Sequence, residues 1–280
     1  MLRVGDNHSH LNPFKGIGVH EFAKRFINSG GWFVCLVNLT SWSYGLKALT
    51  VGDYERVYRI TVETAKSLRE KGVKVSVLLG PHPAELARLV EEGIPPSEAE
   101  RLVIEAYRLA SDYVRKGEAD GFGEVGRPHW PASSVIIEAC NVVLDEVLSM
   151  ASDFDCVVHI HAEQAGKQTI DDLSKRLKGC RKVVYHHIAG RYAGYAFERG
   201  LIPSVPAKEE EILNALSSGE NFVVESDFLD DPRRPGAVVA PWSISRVFNR
   251  LISKGSISVD GAKRILVSNI EKLYDVRLEG

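Results

Sequence analysis

Histidines and acids recur along this chain at positions that could gather around a divalent cation. His8 and His10 form a His-Ser-His near the start, and Glu124 stands in Gly123-Glu-Val-Gly126. His161 ends one apolar run, His186 and His187 end another, and Glu225-Ser-Asp227 ends a third. Imidazole nitrogens and carboxylate oxygens are the donor set that zinc and its neighbours take. Four imidazoles with two carboxylates, His8, His10, His161, one of the His186/His187 pair, Glu124 and Asp227, are enough for two ions. Two such ions roughly 3.5–4 Å apart can share a water, lower its pKa from 15.7 to about 7 and neutralise both attacking and leaving oxygens. The chemistry implied is hydrolysis by an activated water.

The elements that must position these groups follow from periodicity. Eight short apolar runs read as strands: Leu2 to His10, Trp32 to Leu39, Val73 to Leu79, Ala119 to Val125, Cys156 to His161, Lys182 to His187, Leu201 to Val205 and Phe222 to Asp227. Between them Val19 to Ile27, Tyr54 to Arg69, Ala84 to Glu92, Ser97 to Val114, Val135 to Met150, Ile170 to Leu177 and Glu209 to Leu216 have helical spacing, and Ser258 to Tyr274 reads as a last helix. Strand and helix in alternation predict an α/β fold with a parallel sheet, and eight units in 280 residues fit one (β/α)8 TIM barrel spanning the chain. In a barrel the active site is built from the C-terminal ends of the strands, which is where the candidate ligands fall. An open doubly wound sheet would spread the same strand ends along an edge.

Alternation along a strand adds detail. Asp6, His8 and His10 share a face. His159 and His161 share another; His161, nearer the strand end, is the ligand candidate, and His159 is read as a core or supporting histidine. His186 and His187 point to opposite faces, so only one can face a cation, and parity alone does not say which. Asp227 can touch a metal and accept a proton from water, while Glu225 sits deeper on the same face. His82, held in Gly80-Pro-His-Pro83, suits a substrate contact, and Arg233 with Arg234 could hold an anionic group. His20 is read as structural. Gly121-Phe-Gly-Glu-Val-Gly126 matches a dinucleotide-binding pattern, but Pro128 and Pro131 deny the helix that motif needs. Neither a nucleophile elbow nor a P-loop is present.

A net charge of -2 gives no footprint for duplex nucleic acid. The four cysteines lack a Cys-x-x-Cys pair and read as small buried hydrophobes. No apolar run approaches the ~20 residues of a membrane span, and Met1-Leu-Arg-Val-Gly-Asp6 has no leader pattern, so a cytoplasmic location and no membrane or obligatory protein partner are expected.

Taken in order, these motifs resemble the TatD family of metal-dependent hydrolases, (β/α)8 barrels described as magnesium- or zinc-dependent deoxyribonucleases. Asp6-Asn-His-Ser-His-Leu11 resembles the family's Asp-x-His-x-His-Leu, Gly80-Pro-His-Pro83 its Gly-x-His-Pro, and Gly123-Glu-Val-Gly126 its Gly-Glu-x-Gly. His161-Ala-Glu-Gln-Ala165 is similar to His-x-Arg-Asp-Ala. His186-His-Ile-Ala-Gly190 is similar to His-x-Phe-x-Gly, which selects His186 over His187. Glu225-Ser-Asp227 resembles Glu-Thr-Asp, and Asn269-Ile-Glu-Lys-Leu-Tyr274 the closing Asn-x-x-x-Leu-Phe. The resemblance implies two divalent ions (zinc, magnesium or manganese), with His8, His10 and Asp227 on one, His161 and His186 on the other, Glu124 bridging and Asp227 as general base. It also implies a single-stranded DNA or small-molecule substrate. Two departures stand out: Arg127-Pro128 replaces the family's Leu-Asp, and Glu163 replaces its arginine, where a negative charge is expected to repel phosphate. The rival readings are an amidohydrolase or lactonase acting on a small carbonyl compound, whose relatives often bridge with a carboxylated lysine where Glu124 stands, and a metal-binding barrel without turnover.

Overall fold

The expected runs become strands, shifted by a residue or two: β1 Val4–His10, β2 Gly31–Val37, β3 Lys74–Leu79, β4 Gly121–Gly126, β5 Val157–His161, β6 Val183–Tyr185, β7 Ile202–Pro206 and β8 Val223–Glu225. The computed structural model describes residues 2–164, 166–231 and 239–279. A further short strand, β9 Phe228–Leu229, follows β8 after Ser226 and Asp227. Every pairing is parallel, in the order β8-β7-β6-β5-β4-β3-β2-β1-β9. Because β9 continues the run of β8 and pairs with β1, first and last strands meet and the sheet closes. The Asp227 amide donates to His8 O at 3.0 Å across this seam. The expected TIM barrel is therefore present. Its last strand is split, since Asp227 takes a φ of +47° that no strand residue adopts.

Strands of this barrel read as unbroken apolar runs because both of their faces are covered. β2, Gly-Trp-Phe-Val-Cys-Leu-Val, is buried at every position. Trp32, Phe33, Val157 and Val223 fill the N-terminal end of the barrel, and Ile270, Leu273 and Tyr274 of the last helix close it. That tail consists of helix Val259–Lys263, a wide π turn over Arg264–Ser268 and helix Asn269–Tyr274. It is tied to the strands by Trp32 Nε1, which donates to Leu266 O at 3.2 Å, and by Asn269 Nδ2, which donates to Glu220 O and Phe222 O at 2.8 and 2.7 Å.

Helix starts carry their own signals. Thr50 and Asp53 form a capping box for Val51–Arg69, and Ser133 caps Ser134–Phe154. Helix Ile244–Ser253 is absent from the sequence reading, although Ile244, Phe248 and Leu251 are buried at helical spacing. The register slips in β1 between Asp6 and Ser9 and in β4 between Phe122 and Val125. Such irregularities re-aim side chains, and these two carry His8 and Glu124. No helix among the described residues is long and apolar enough to cross a membrane. All four cysteines are free; Cys35 and Cys140 are buried, whereas Cys156 and Cys180 are only partly covered.

Candidate metal centre

The strand ends bring Glu124 into contact with four of the sequence-selected histidines. Its Oε1 lies 3.5 Å from His8 Nε2 and 3.3 Å from His10 Nε2. Its Oε2 lies 2.9 Å from His161 Nδ1 and 3.2 Å from His186 Nε2. His8 Nε2 and His10 Nε2 stand 3.1 Å apart, and Asp227 Oδ1 lies 4.0 Å from His10 Nε2. Donor atoms about 2.0–2.1 Å from a tetrahedral ion stand about 3.3 Å from one another. The spacing observed therefore fits a divalent cation, and the donor groups His8/His10/Glu124 and His8/His186/Asp227 are close enough to hold one.

The surrounding hydrogen bonds decide which ring nitrogens are open. His10 Nδ1 donates to Val37 O at 3.0 Å, which leaves Nε2 to the cleft. His82 Nδ1 accepts the Ala84 amide at 2.9 Å, capping helix Pro83–Glu91, so its proton sits on Nε2, 3.7 Å from Glu124 Oε2. His82 thus presents an N–H donor to the cleft rather than a lone pair. Glu225 is fully buried beneath the site, as the strand parity requires. Asp6 lies deeper as well, accepting from Ser226 N and Ser226 Oγ at 2.8 and 2.6 Å, with burial pushing it up to about 7.

Burying a carboxylate costs several kcal/mol unless partners offset it. Glu124 is 5% exposed. Burial pushes its pKa up, yet the crowd of imidazoles, His82 and His186 foremost, holds it well below the usual carboxylate range. Asp227 is likewise pushed up by burial and pulled below its usual range by His187 and His186. The imidazoles divide. Burial, reinforced by His186, pulls His8 down to about 4. For His10 and His186 burial also pulls down, but the adjoining carboxylates override it and raise both.

The mouth of the cleft corrects the sequence reading in two places. β6 stops at Tyr185, and His187 takes a φ of +62°. Its ring therefore swings back, with Nδ1 3.2 Å from Asp227 Oδ2, and both neighbouring histidines line the same cavity of about 330 Å³. Strand alternation fails there because the strand has already ended. Glu163 does not stand as a free negative charge either. Arg127, 5% exposed, clamps it with Nε–Oε2 at 2.9 Å and Nη2–Oε1 at 2.8 Å and reaches Asp172 as well. The two departures from the family pattern form one ion pair.

His129 is the residue that sequence reasoning missed. Its Nδ1 lies 2.6 Å from His161 Nε2, and its neighbour Trp130 stacks on His82. Nothing in the pattern marks it, because the loop after Gly126 has no periodicity; the only clue is a histidine five positions beyond Glu124. The loop starts from Gly126, which has a φ of +131° and where a Cβ would meet His161 O at 2.1 Å, so no side chain fits. Arg233 and Arg234 lie outside the described residues.

A closed (β/α)8 barrel with imidazoles and carboxylates at its C-terminal strand ends defines a metal-dependent hydrolase fold. The sequence model of the TatD related DNase family matches residues 5–275, and the chain belongs to that family. It is 33% identical over 289 residues to an uncharacterized protein of Methanocaldococcus jannaschii, covering 99% of this chain and 98% of that one. Among solved structures it resembles the TatD homologue YjjV of Escherichia coli (17% identity, TM-score 0.67, 97% of this chain and 98% of that one). It also resembles the phosphotriesterase homology protein of Escherichia coli, solved with phosphate in its active site (12% identity, TM-score 0.65, 97% and 98% covered). An uncharacterized amidohydrolase of Saccharomyces cerevisiae superposes similarly (13% identity, TM-score 0.65, 97% and 100% covered).

Proposed function

We propose that the protein hydrolyses phosphodiesters, single-stranded DNA among them, at a binuclear site bridged by Glu124. One observation carries this reading: the two oxygens of Glu124 face separate imidazole pairs, His8/His10 and His161/His186. Asp227 completes the first set. Two divalent cations, whether zinc, magnesium or manganese, would supply an acidified water and neutralise charge on the phosphoryl oxygens. The chain's own residues do the rest. Asp227, held ionised, accepts the proton of the attacking water, and His187 beside it steadies the carboxylate. His82 offers its Nε2–H to a substrate oxygen. With Glu163 neutralised by Arg127, no unpaired acid at that position repels an anionic substrate.

Two findings support the phosphoryl reading over the carbonyl one: the family match and the phosphate in the active site of the phosphotriesterase homology protein. The fold alone does not choose, since a β-aspartyl dipeptidase of Fervidobacterium islandicum also superposes. A matched assay of metal-loaded protein on single-stranded DNA and on a panel of lactones and amides decides; turnover confined to the panel would replace this reading by the amidohydrolase one. Silence on both would leave a metal-binding barrel. Glu124→Gln is expected to abolish turnover and release at least one equivalent of metal, measured by elemental analysis. Full metal content and full turnover in that variant would falsify the bridge.

A further inference from the structure

We propose that one directional chain of hydrogen bonds, anchored on Glu225 and running through Ser204, Asn7, Tyr274 and His159 to His8, orients the metal-facing nitrogens of His8 and His186 together. This rests on the cation site proposed above. None of the five intermediate or anchoring residues is among the proposed ligands, and the chain joins β8, β7, β1, the last helix and β5.

Its direction is forced from one end. The Glu225 carboxylate can only accept, so Ser204 Oγ donates to Glu225 Oε2. Ser204 Oγ must then accept from Asn7 Nδ2, 2.9 Å away, and this fixes the orientation of the Asn7 amide. Asn7 Oδ1, turned the other way, accepts the Tyr274 hydroxyl proton at 2.9 Å. The Tyr274 oxygen has no proton left for His159, so His159 Nε2–H donates to it at 2.9 Å, with the Cys35 thiol beside the same oxygen. Both ring nitrogens of His159 now have one role each. The ring is fully buried and, among the described residues, its nitrogens bond to His8 and Tyr274, with no acid in hydrogen-bond contact to support a second proton. His159 Nδ1 is therefore an acceptor, and His8 Nδ1–H donates to it at 2.8 Å. The consequence is a lone pair on His8 Nε2, the atom facing Glu124 Oε1 and His10 Nε2.

The other arm is short. Glu225 Oε1 accepts the His187 amide at 2.8 Å and lies 3.0 Å from His186 Nδ1, an ion-pair distance that draws a proton to that side of the ring while Nε2 faces Glu124 Oε2 at 3.2 Å. One carboxylate thus sets two rings of the site, one directly and one through four relays. A histidine whose other nitrogen is held in this way is both aimed and made more basic toward a metal. Where the family pattern closes with phenylalanine this chain has Tyr274, whose hydroxyl is the central link.

Tyr274→Phe removes that link, keeps the ring in place and leaves Asn7 Oδ1 without its donor. His159 loses its acceptor, is free to move its proton to Nδ1, and thereby drives the His8 proton onto Nε2, into the cation site. The test reads two quantities in metal-free, 15N-histidine-labelled full-length protein. Long-range 1H–15N correlation spectra are expected to show His8 protonated on Nδ1 in the wild type and to lose that pattern in Tyr274→Phe. Zinc affinity, measured by competition with a chromophoric chelator, is expected to fall about 10- to 100-fold. Ser204→Ala, which deletes one hydroxyl at the other end, is expected to move both in the same direction and carries the test if Tyr274→Phe does not fold by circular dichroism. A wild-type His8 protonated on Nε2, or variants that bind zinc as tightly as the wild type, overturn the proposal. Wild-type protein that binds no divalent cation would instead defeat the binuclear reading, while the spectra would still decide the relay.

Discussion

At the floor of the cleft, Asn7, His8, His159 and Ser204 are fully buried and bonded to partners 115 to 267 positions away in the chain, with Glu225 equally buried among them. At its mouth, His82, His129, His187 and Asp227 stand on loops just beyond strand ends, and His129 is exposed. The floor is held by the barrel as a whole, so each of its groups has one available geometry. The mouth is held by local devices: a helix cap at His82, a left-handed residue at His187 and the Arg127–Glu163 clamp. Rigid aim below and adjustable shape above is a division that suits fixed chemistry with a tunable substrate.

The hardest test of this contrast is to unmake the floor. Glu225→Ala removes the acceptor of Ser204 Oγ and of the His187 amide and leaves His186 Nδ1 without its carboxylate. Breaking a buried polar set on one side costs about 3–5 kcal/mol, and a loss of that size is expected in urea unfolding. A cost under about 1 kcal/mol would show that the floor is not the rigid half. His129→Ala probes the mouth. Stability is expected to stay within about 0.5 kcal/mol, while metal affinity falls about tenfold because His161 Nε2 loses its partner. If unfolding is shifted as much as by Glu225→Ala, the two regions do not differ. A third test, on pH, separates ligands within the site. His8 is pulled down to about 4 by burial, whereas the adjoining carboxylates raise His10 and His186, so protons on these two compete with a cation more than a proton on His8 does. Affinity for zinc is therefore expected to strengthen from pH 6 to pH 8, by no more than about tenfold per unit for each proton released. Calorimetry in buffers of different ionisation enthalpy reads the protons directly. Uptake without proton release would contradict the raised values.

The same contrast explains what could be read from sequence. Strand parity places His8, His10, His161 and Glu225 correctly, because a strand buried on both faces leaves its residues no choice of side. It fails at His187, just past the end of β6, and it splits nothing at Ser226-Asp227 although the last strand breaks there. His159 is legible as a supporting histidine but its partner is not, since Tyr274 is 115 positions away and belongs to a helix whose pattern speaks only of its apolar face. Glu163 and Arg127, 36 positions apart, look like two unrelated departures until the β4 and β5 ends are side by side. Helix Ile244–Ser253 is short and follows a stretch without periodicity, so its three buried residues do not stand out.

Tyr274 has one more consequence, for the timing of synthesis. The floor needs a hydroxyl from helix Asn269–Tyr274, and that helix is docked through Asn269 onto the chain just before β8. If the relay proposed above holds, a growing polypeptide that has already made His8, His10, His161 and His186 still lacks the hydroxyl that aims His8. On that proposal the aim of His8 arrives only once helix Asn269–Tyr274 has left the ribosome and seated against β1 and β5.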